Sequence, residues 1–490
     1  MGLQAVPGGR RLSGKMLFNS IDFMVFFGVV ITLYYVLPKR GQNRMLLLAS
    51  YFFYGYWDWR FLSLIVFSTV CDYVVGSKLG TSTHEGSHAR SRKAWLALSV
   101  SVNLGLLGIF KYFDFFVGSL QAALAPLGID LSVFHLNVVL PVGISFYTFQ
   151  TLSYSVDIYR GAMKPTTDFF DFALFVAYFP QLVAGPIERA RVLLPQIQRE
   201  RQFDQQQFVE GLHLVGWGLF KKVFVADNLA TTVDFIFSMP NPSSLQVLAG
   251  IYAFAFQIYC DFSGYSNVAR GLAKMMGIEL MRNFNHPYAS TNPREFWQRW
   301  HISLSTWLRD YLYVSLGGNR RGRGATYRNL LITMVLGGLW HGAAWNFVLW
   351  GVYQGLLLIG HRFVGERFGA GGSATKKYNG LRRLLWAVFF FQWIAYGWLL
   401  FRARSMKQIV MMTGRLVHWK AGAGGALFKR LFAYIAPLLV VEVPQYWRNE
   451  ENLRNLFRLP LPIWAVVYAA LFYLFVFFGA RAQSFIYFQF

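Results

Sequence analysis

The stretch Leu330-Leu-Ile-Thr-Met-Val-Leu-Gly-Gly-Leu-Trp340-His341-Gly-Ala-Ala-Trp-Asn-Phe-Val-Leu-Trp350 contains no Lys, Arg, Asp or Glu, and its apolar character persists to Gly360. About 20 consecutive apolar residues suffice for a helix to cross a bilayer. The stretch therefore reads as membrane-spanning helix, with one ionisable side chain, His341, at membrane depth. Such a group is costly there and marks a functional site by default. Gly337, Gly338 and Gly342 crowd it. The expectation is that these glycines remove bulk around the imidazole and let a substrate approach the backbone.

The composition agrees with a membrane protein. Of 490 residues, 55% are hydrophobic and only 14% are charged, against roughly 25% charged in ordinary globular chains. The 16 Trp and 26 Tyr exceed what interfacial belts need. Many lie within apolar runs, which points to a lined cavity. The formal net charge of +24 does not mark a nucleic-acid binder. The basic residues are scattered through short loops and form no single face, which suits loops beside anionic lipid headgroups. Two cysteines, Cys71 and Cys260, exclude a disulfide framework and a cysteine-based zinc site.

Thirteen apolar stretches can be marked, near 18–37, 44–56, 60–76, 94–116, 138–158, 169–186, 208–226, 244–265, 328–345, 346–364, 383–402, 428–446 and 461–480. They predict an all-α polytopic membrane protein with roughly ten to thirteen spans, some re-entrant. No polar connection is long enough to build a soluble core. Residues 1–15 read as a polar leader, without a cleavable signal sequence, and residues 16–490 as one integral-membrane domain. Two basic loops, Arg189 to Arg201 and Arg320-Arg321-Gly-Arg323 with Arg328, read either as anchoring loops or as a docking surface for an anionic donor or carrier protein.

The segment before the histidine run, Asn292-Pro-Arg-Glu-Phe-Trp-Gln-Arg299-Trp-His301 through Tyr313, has the pattern of a short helix opened by Pro293. At helical spacing Trp297, Trp300, His301, Leu304, Leu308 and Tyr311 share one face. Arg299, Ser303, Thr306 and Asp310 share another. Neutral imidazoles can take a proton from a hydroxyl and return it to a leaving group, as acyl transfer requires. The remaining histidines, His84, His88, His135, His213, His286, His361 and His418, lack comparable surroundings. No metal-ligand set, phosphate loop or nucleophile elbow occurs. Two polar patches in apolar surroundings run through Gln150 (141–155) and through Asp261 and Tyr265 (257–267). The first reads as helix knitting. Asp261 reads as tunnel lining, paired with Arg294 or Arg299, because an unpaired buried carboxylate is costly.

The runs Glu295-Phe-Trp-Gln-Arg-Trp-His301-Ile-Ser-Leu-Ser-Thr-Trp-Leu-Arg-Asp-Tyr-Leu-Tyr313 and Gly337-Gly-Leu-Trp-His341-Gly342 resemble the signature of the membrane-bound O-acyltransferase (MBOAT) family. The likeness is greatest to its bacterial branch that serves alginate O-acetylation. Leu140-Pro-Val-Gly-Ile-Ser-Phe-Tyr147, Lys221-Lys-Val-Phe-Val-Ala-Asp227 and Asp261-Phe-Ser-Gly-Tyr-Ser266 support it. The resemblance covers roughly residues 16–405, which makes Met16 the expected start.

The resemblance implies a ring of transmembrane helices around a thinned centre, with a tunnel meeting near the histidines and short re-entrant or interfacial helices. It implies transfer of an acyl group from a cytoplasmic thioester, acetyl-CoA or another, to a hydroxyl, with no tightly bound cofactor. In this branch the acetyl group crosses the bacterial inner membrane to an extracytoplasmic acetyltransferase partner, which acts on an exopolysaccharide such as alginate. The family's essential histidine falls on His341 and its second on His301. On that basis His341 acts as general base or transient acyl carrier, and His301, Asp310 or Asn346 orients the donor or stabilises the oxyanion. Arg299, Asp261, Tyr265 and Gln150 are further candidates for contact with substrate or donor. The alternatives are D-alanyl transfer to teichoic acid and a non-enzymatic transporter of lipid-linked sugar.

Overall fold

The computed structural model describes residues 16–81, 87–183, 185–367, 380–457, 459–479 and 485–486. The expected leader over residues 1–15 and His84 lie outside the described residues. Among the described residues, every regular element is helical. In chain order these are α1 (Ile21–Val36), α2 (Lys39–Asp58), α3 (Leu62–Thr81), α4 (Ser87–Leu107), α5 (Phe113–Leu124), α6 (Ile144–Tyr159) and α7 (Phe169–Ala177). Then come α8 (Phe179–Leu182), α9 (Ala190–Gln198), α10 (Gln205–Leu219), α11 (Asp227–Ser238), α12 (Ser244–Met275), α13 (Pro293–Arg299) and α14 (Ile302–Trp307). The last are α15 (Gly322–His341), α16 (Trp345–Arg367), α17 (Gly380–Arg402), α18 (Met406–Val417), α19 (Gly425–Arg448), α20 (Leu453–Phe457) and α21 (Leu461–Phe478).

Each apolar stretch marked in the sequence overlaps at least one of these helices. Among the described residues, five helical runs are long and apolar enough to cross a membrane: Lys39–Thr81, Ala89–Leu127, Ser244–Met275, Trp345–Arg367 and Gly380–Arg402. Apolar faces stay uncovered on the shorter α1 and on α17. Ile21, Val25 and Val36 of α1 and Leu381, Leu384 and Val388 of α17 are all exposed. A contiguous apolar face of that kind suits lipid contact.

Helix α12 runs through the centre, buried along most of its 32 residues. Its start is fixed by a capping box: the Ser243 amide donates to Gln246 Oε1 at 2.8 Å, and the Gln246 amide donates to Ser243 Oγ at 3.3 Å. It packs on α10 backbone to backbone. A Cβ on Gly211 would sit 2.7 Å from the Gly271 carbonyl oxygen, and one on Gly218 would sit 2.6 Å from that of Gly264. Small residues in register on both helices permit this approach where apolar burial gives little drive to associate.

The helix expected across 293–313 is broken. Asn292 caps α13 by accepting from the Glu295 amide at 2.9 Å, but Trp300 is extended and His301 is left-handed, at φ 42° and ψ 55°. Tertiary bonds impose the break. The Ile302 amide donates to the Asn283 carbonyl at 2.9 Å, the Ser303 amide to Asn283 Oδ1 at 3.2 Å, and the Asn285 amide to the Arg299 carbonyl at 2.9 Å. A non-glycine residue in this region carries strain that its surroundings must hold.

Candidate active site

Helix α15 ends at His341 because Gly342 turns extended, at φ −164° and ψ 148°. The last carbonyls of a helix then need partners from elsewhere. A π-helical turn, Gly108–Tyr112, between α4 and α5 supplies them. Lys111 Nζ donates to the Trp340 carbonyl at 2.5 Å and lies 3.5 Å from that of His341, and Tyr112 Oη donates to the Leu339 carbonyl at 3.1 Å. Lys111 Nζ is also 3.3 Å from Ser145 Oγ.

The His341 ring is buried among aromatic edges and faces. Its centroid lies 5.1 Å from Trp340, 5.2 Å from Trp350 and 5.3 Å from Phe401, all at steep angles. The His301 ring is fully buried, packs edge-on against Phe262 at 4.5 Å and lies 6.0 Å from Trp340. One indole therefore touches both imidazoles, and the two motifs meet. Trp340 also packs on Phe149 at 5.6 Å, and Phe149 stacks flat on Trp307 at 3.8 Å.

Two of the glycines near His341, Gly338 and Gly342, do something other than admit substrate. A Cβ on Gly338 would lie 2.2 Å from the Phe347 carbonyl oxygen, and one on Gly342 would lie 2.2 Å from the Phe347 ring. Their space is filled by α16, so they serve close packing of α15 on α16.

Room for a reactant lies on the other side. A cavity of about 320 Å³ is lined by His341, Lys111, Ser145, Trp340 and Trp57 among others. That volume falls within the range of small-molecule sites. Gly143 and the first turn of α6, Ile144 to Phe146, form part of its wall. His301 does not line this cavity; it sits behind Trp340.

The other sequence candidates are dispersed. Asp261 pairs with neither Arg294 nor Arg299. Its partner is Lys222, at 2.6 Å, on a π-helical turn Phe220–Ala226, and Lys222 also holds Asp227 at 2.8 Å. Asp261 Oδ2 further accepts from the Ile486 amide at 2.7 Å. The carboxylate is therefore a buried tie rather than tunnel lining. Tyr265 packs on Phe485 at 4.4 Å beneath the Lys222 ammonium and faces a separate space of about 10 Å³. Gln150 donates to the Phe175 carbonyl at 3.0 Å, which is helix knitting. Arg299 is held by Glu295 at 3.1 Å, and Glu295 is also bound by Arg383 at 2.5 Å. Asp310, partly exposed, pairs with Arg309 at 2.7 Å and Arg189 at 3.9 Å. Asn346 donates to the Phe401 and Ala403 carbonyls at 3.3 and 3.1 Å, fixing the end of α17 whose Phe401 touches His341. Of these candidates, only His341 reaches the 320 Å³ cavity.

The first basic loop is also not a free surface throughout, since Arg189 and Arg201 are buried. Arg320, Arg321, Arg323 and Arg328 are exposed.

Lys111 was not singled out in the sequence. It stood inside the 94–116 stretch, where an intramembrane cation is itself a signal.

Residues 51–401 match the membrane-bound O-acyltransferase family, MBOAT. The chain belongs to the MBOAT family. The MBOAT match contains both histidine motifs and Lys111. A Pseudomonas syringae pv. tomato protein named "Probable alginate O-acetylase AlgI" is 43% identical over 447 residues, covering 89% of this chain and 84% of its own. A Helicobacter pylori protein named peptidoglycan O-acetyltransferase is 35% identical over 437 residues, covering 82% and 80%. A Bacillus subtilis protein named teichoic acid D-alanyltransferase is 26% identical over 287 residues, covering 55% and 70%. This MBOAT chain is a multi-pass membrane O-acyltransferase. Family membership removes the transporter reading.

Proposed function

We propose that His341 is the acid–base group of this O-acyltransferase and that the cavity beside it receives the reacting ends of donor and acceptor. One observation carries the reading: in an acyltransferase fold, a buried histidine at a helix end lines a cavity of about 320 Å³. The acceptor oxygen attacks the thioester carbonyl while His341 takes its proton, and the departing thiolate receives that proton back. His301, held behind Trp340, positions that indole and acts through it. The six other candidates assigned to substrate or donor keep the scaffold in shape.

The donor is an acetyl thioester, acetyl-CoA or an equivalent carrier, supplied from the cytoplasm. The acetyl group passes to an extracytoplasmic partner that modifies an exopolysaccharide. The names of the relatives support acetyl over D-alanyl transfer, since the alginate O-acetylase relative is 43% identical and the D-alanyltransferase 26%. The protein resides in the bacterial inner membrane and crosses it ten to thirteen times as a ring around a tunnel. In support, every apolar stretch in the sequence overlaps a helix. Residues 16–490 work as one domain, and the main apolar core, which draws on residues from Met16 to Ile486, supports this.

The test is transfer of labelled acetyl from acetyl-CoA by purified protein in lipid. His341→Ala should lose about 10²–10⁴ in rate, the usual worth of a general base. His301→Ala should lose less. Wild-type transfer by His341→Ala would overturn the assignment.

A further inference from the structure

We infer that Lys111 is a second catalytic residue, whose ammonium binds the oxyanion formed when the thioester carbonyl is attacked. The inference rests on the reading of His341 above. Among the described residues lining the cavity, Lys111 is the only Lys, Arg, Asp or Glu. It reaches the cavity from a different helix pair than His341 does, so the two approach a bound carbonyl from separate directions.

The geometry leaves the ammonium available. An ammonium has three N–H donors. One is committed to the Trp340 carbonyl at 2.5 Å. The contacts to Ser145 Oγ at 3.3 Å and to the His341 carbonyl at 3.5 Å are long for hydrogen bonds. An oxyanion at roughly 2.7–3.1 Å would displace the weaker of them. The Trp340 carbonyl and the Trp340 ring, 5.7 Å from Nζ, hold the cation in place before substrate arrives. The π-helical turn matters here. It adds a residue to the helix and re-aims Lys111, and such turns recur at functional sites.

The chemistry balances without a further reactant. The acceptor oxygen forms a bond to the carbonyl carbon and gives its proton to His341. The carbonyl π pair moves onto oxygen, where the Lys111 ammonium donates a hydrogen bond and keeps its proton. Collapse of the intermediate re-forms the carbonyl and breaks the C–S bond. The thiolate then takes the proton from His341.

A purely structural role, capping the end of α15, makes a different prediction. Lys111→Gln keeps a donor for the Trp340 carbonyl but removes the charge. Lys111→Gln and Lys111→Met should both lower kcat by about 10²–10³ with the donor KM little changed, as loss of an oxyanion donor does. Lys111→Arg, which retains charge, should recover part of the rate. Wild-type kcat in Lys111→Gln would overturn the inference, because a cap alone would then suffice.

Lys111→Ala repeats the test without relying on a long side chain. Added methylammonium should restore its rate in a dose-dependent manner. Equal rescue by neutral acetamide would refute a role for the charge. If His341→Ala is inactive while Lys111→Gln is normal, only this inference fails. If His341→Ala is normal, the underlying reading fails.

Discussion

Replacing Gly338 by alanine should cost both stability and activity, and the structure sets the size of each. The new Cβ would lie 2.2 Å from the Phe347 carbonyl oxygen and 3.1 Å from the Gly351 Cα. Restoring an ordinary contact of 3.4 Å requires the carbonyl to retreat by 1.2 Å. That atom is backbone on α16, so no side chain can rotate away. Overpacking of this kind costs about 1–3 kcal/mol, and the rigid neighbour places Gly338 at the upper end. Alanine returns about 1 kcal/mol through helix propensity. The net loss is about 2 kcal/mol, roughly 30-fold in the folded-to-unfolded ratio. Phe347 packs on Phe401 at 4.9 Å, and Phe401 touches His341. A shift of about 1 Å in that chain can cost 10² in rate. The assay is thermal unfolding in detergent, followed by tryptophan fluorescence, together with labelled acetyl transfer. Gly360→Ala on α16 is the control, since nothing lies within 4 Å of its added Cβ; it should be neutral or gain up to about 1 kcal/mol. If Gly338→Ala melts at or above wild type and keeps full activity, the close packing of α15 on α16 is wrong.

Lys222→Met should destabilise by about 3–5 kcal/mol, because Asp227 and Asp261 then face each other in the core without their cation; adding Asp227→Asn and Asp261→Asn should recover part of the loss in the same melting assay. His301→Gly should melt higher than His301→Ala by about 1 kcal/mol, since both lose the ring but only glycine relaxes at φ 42°, and equal midpoints would argue against strain at that residue. Burial raises the Glu451 carboxyl, but its bidentate pairing with Arg270 at 2.5 and 3.1 Å outweighs this and holds it down to about 2, below its ordinary 4.5. A depressed carboxyl stabilises above its unfolded value, so the Glu451 contribution should fade as pH drops from 4.5 towards 2, and Glu451→Gln should flatten that limb of a stability–pH curve.

The helices were legible because they rest on local apolar runs, and the two histidine motifs stood out through their repeated Trp-His pairs, their closeness in space being implied by the family resemblance. What was hidden depended on contacts distant in sequence. The periodicity from Pro293 to Tyr313 fits a continuous helix, and bonds to Asn283 and Asn285, which lie before that window, break it at His301. Arg294 and Arg299 were the expected partners of Asp261, yet a lysine on a π-helical turn claimed it. The glycines beside His341 announced a close approach, but sequence cannot say whether ligand or α16 makes it.

The π-helical turns carry a consequence for how this chain can change. Gly108–Tyr112 holds Lys111, Phe220–Ala226 holds Lys222, and Leu308–Tyr313 holds Tyr311, whose hydroxyl donates to Asp157 at 2.8 Å. Losing one residue in such a turn would restore a plain α-helix and swing everything after it by about 100°. Lys111, Lys222 or Tyr311 would then leave its partners together with the rest of its helix face. These segments can therefore accept few changes of length, and at these turns residue count is as functional as residue identity.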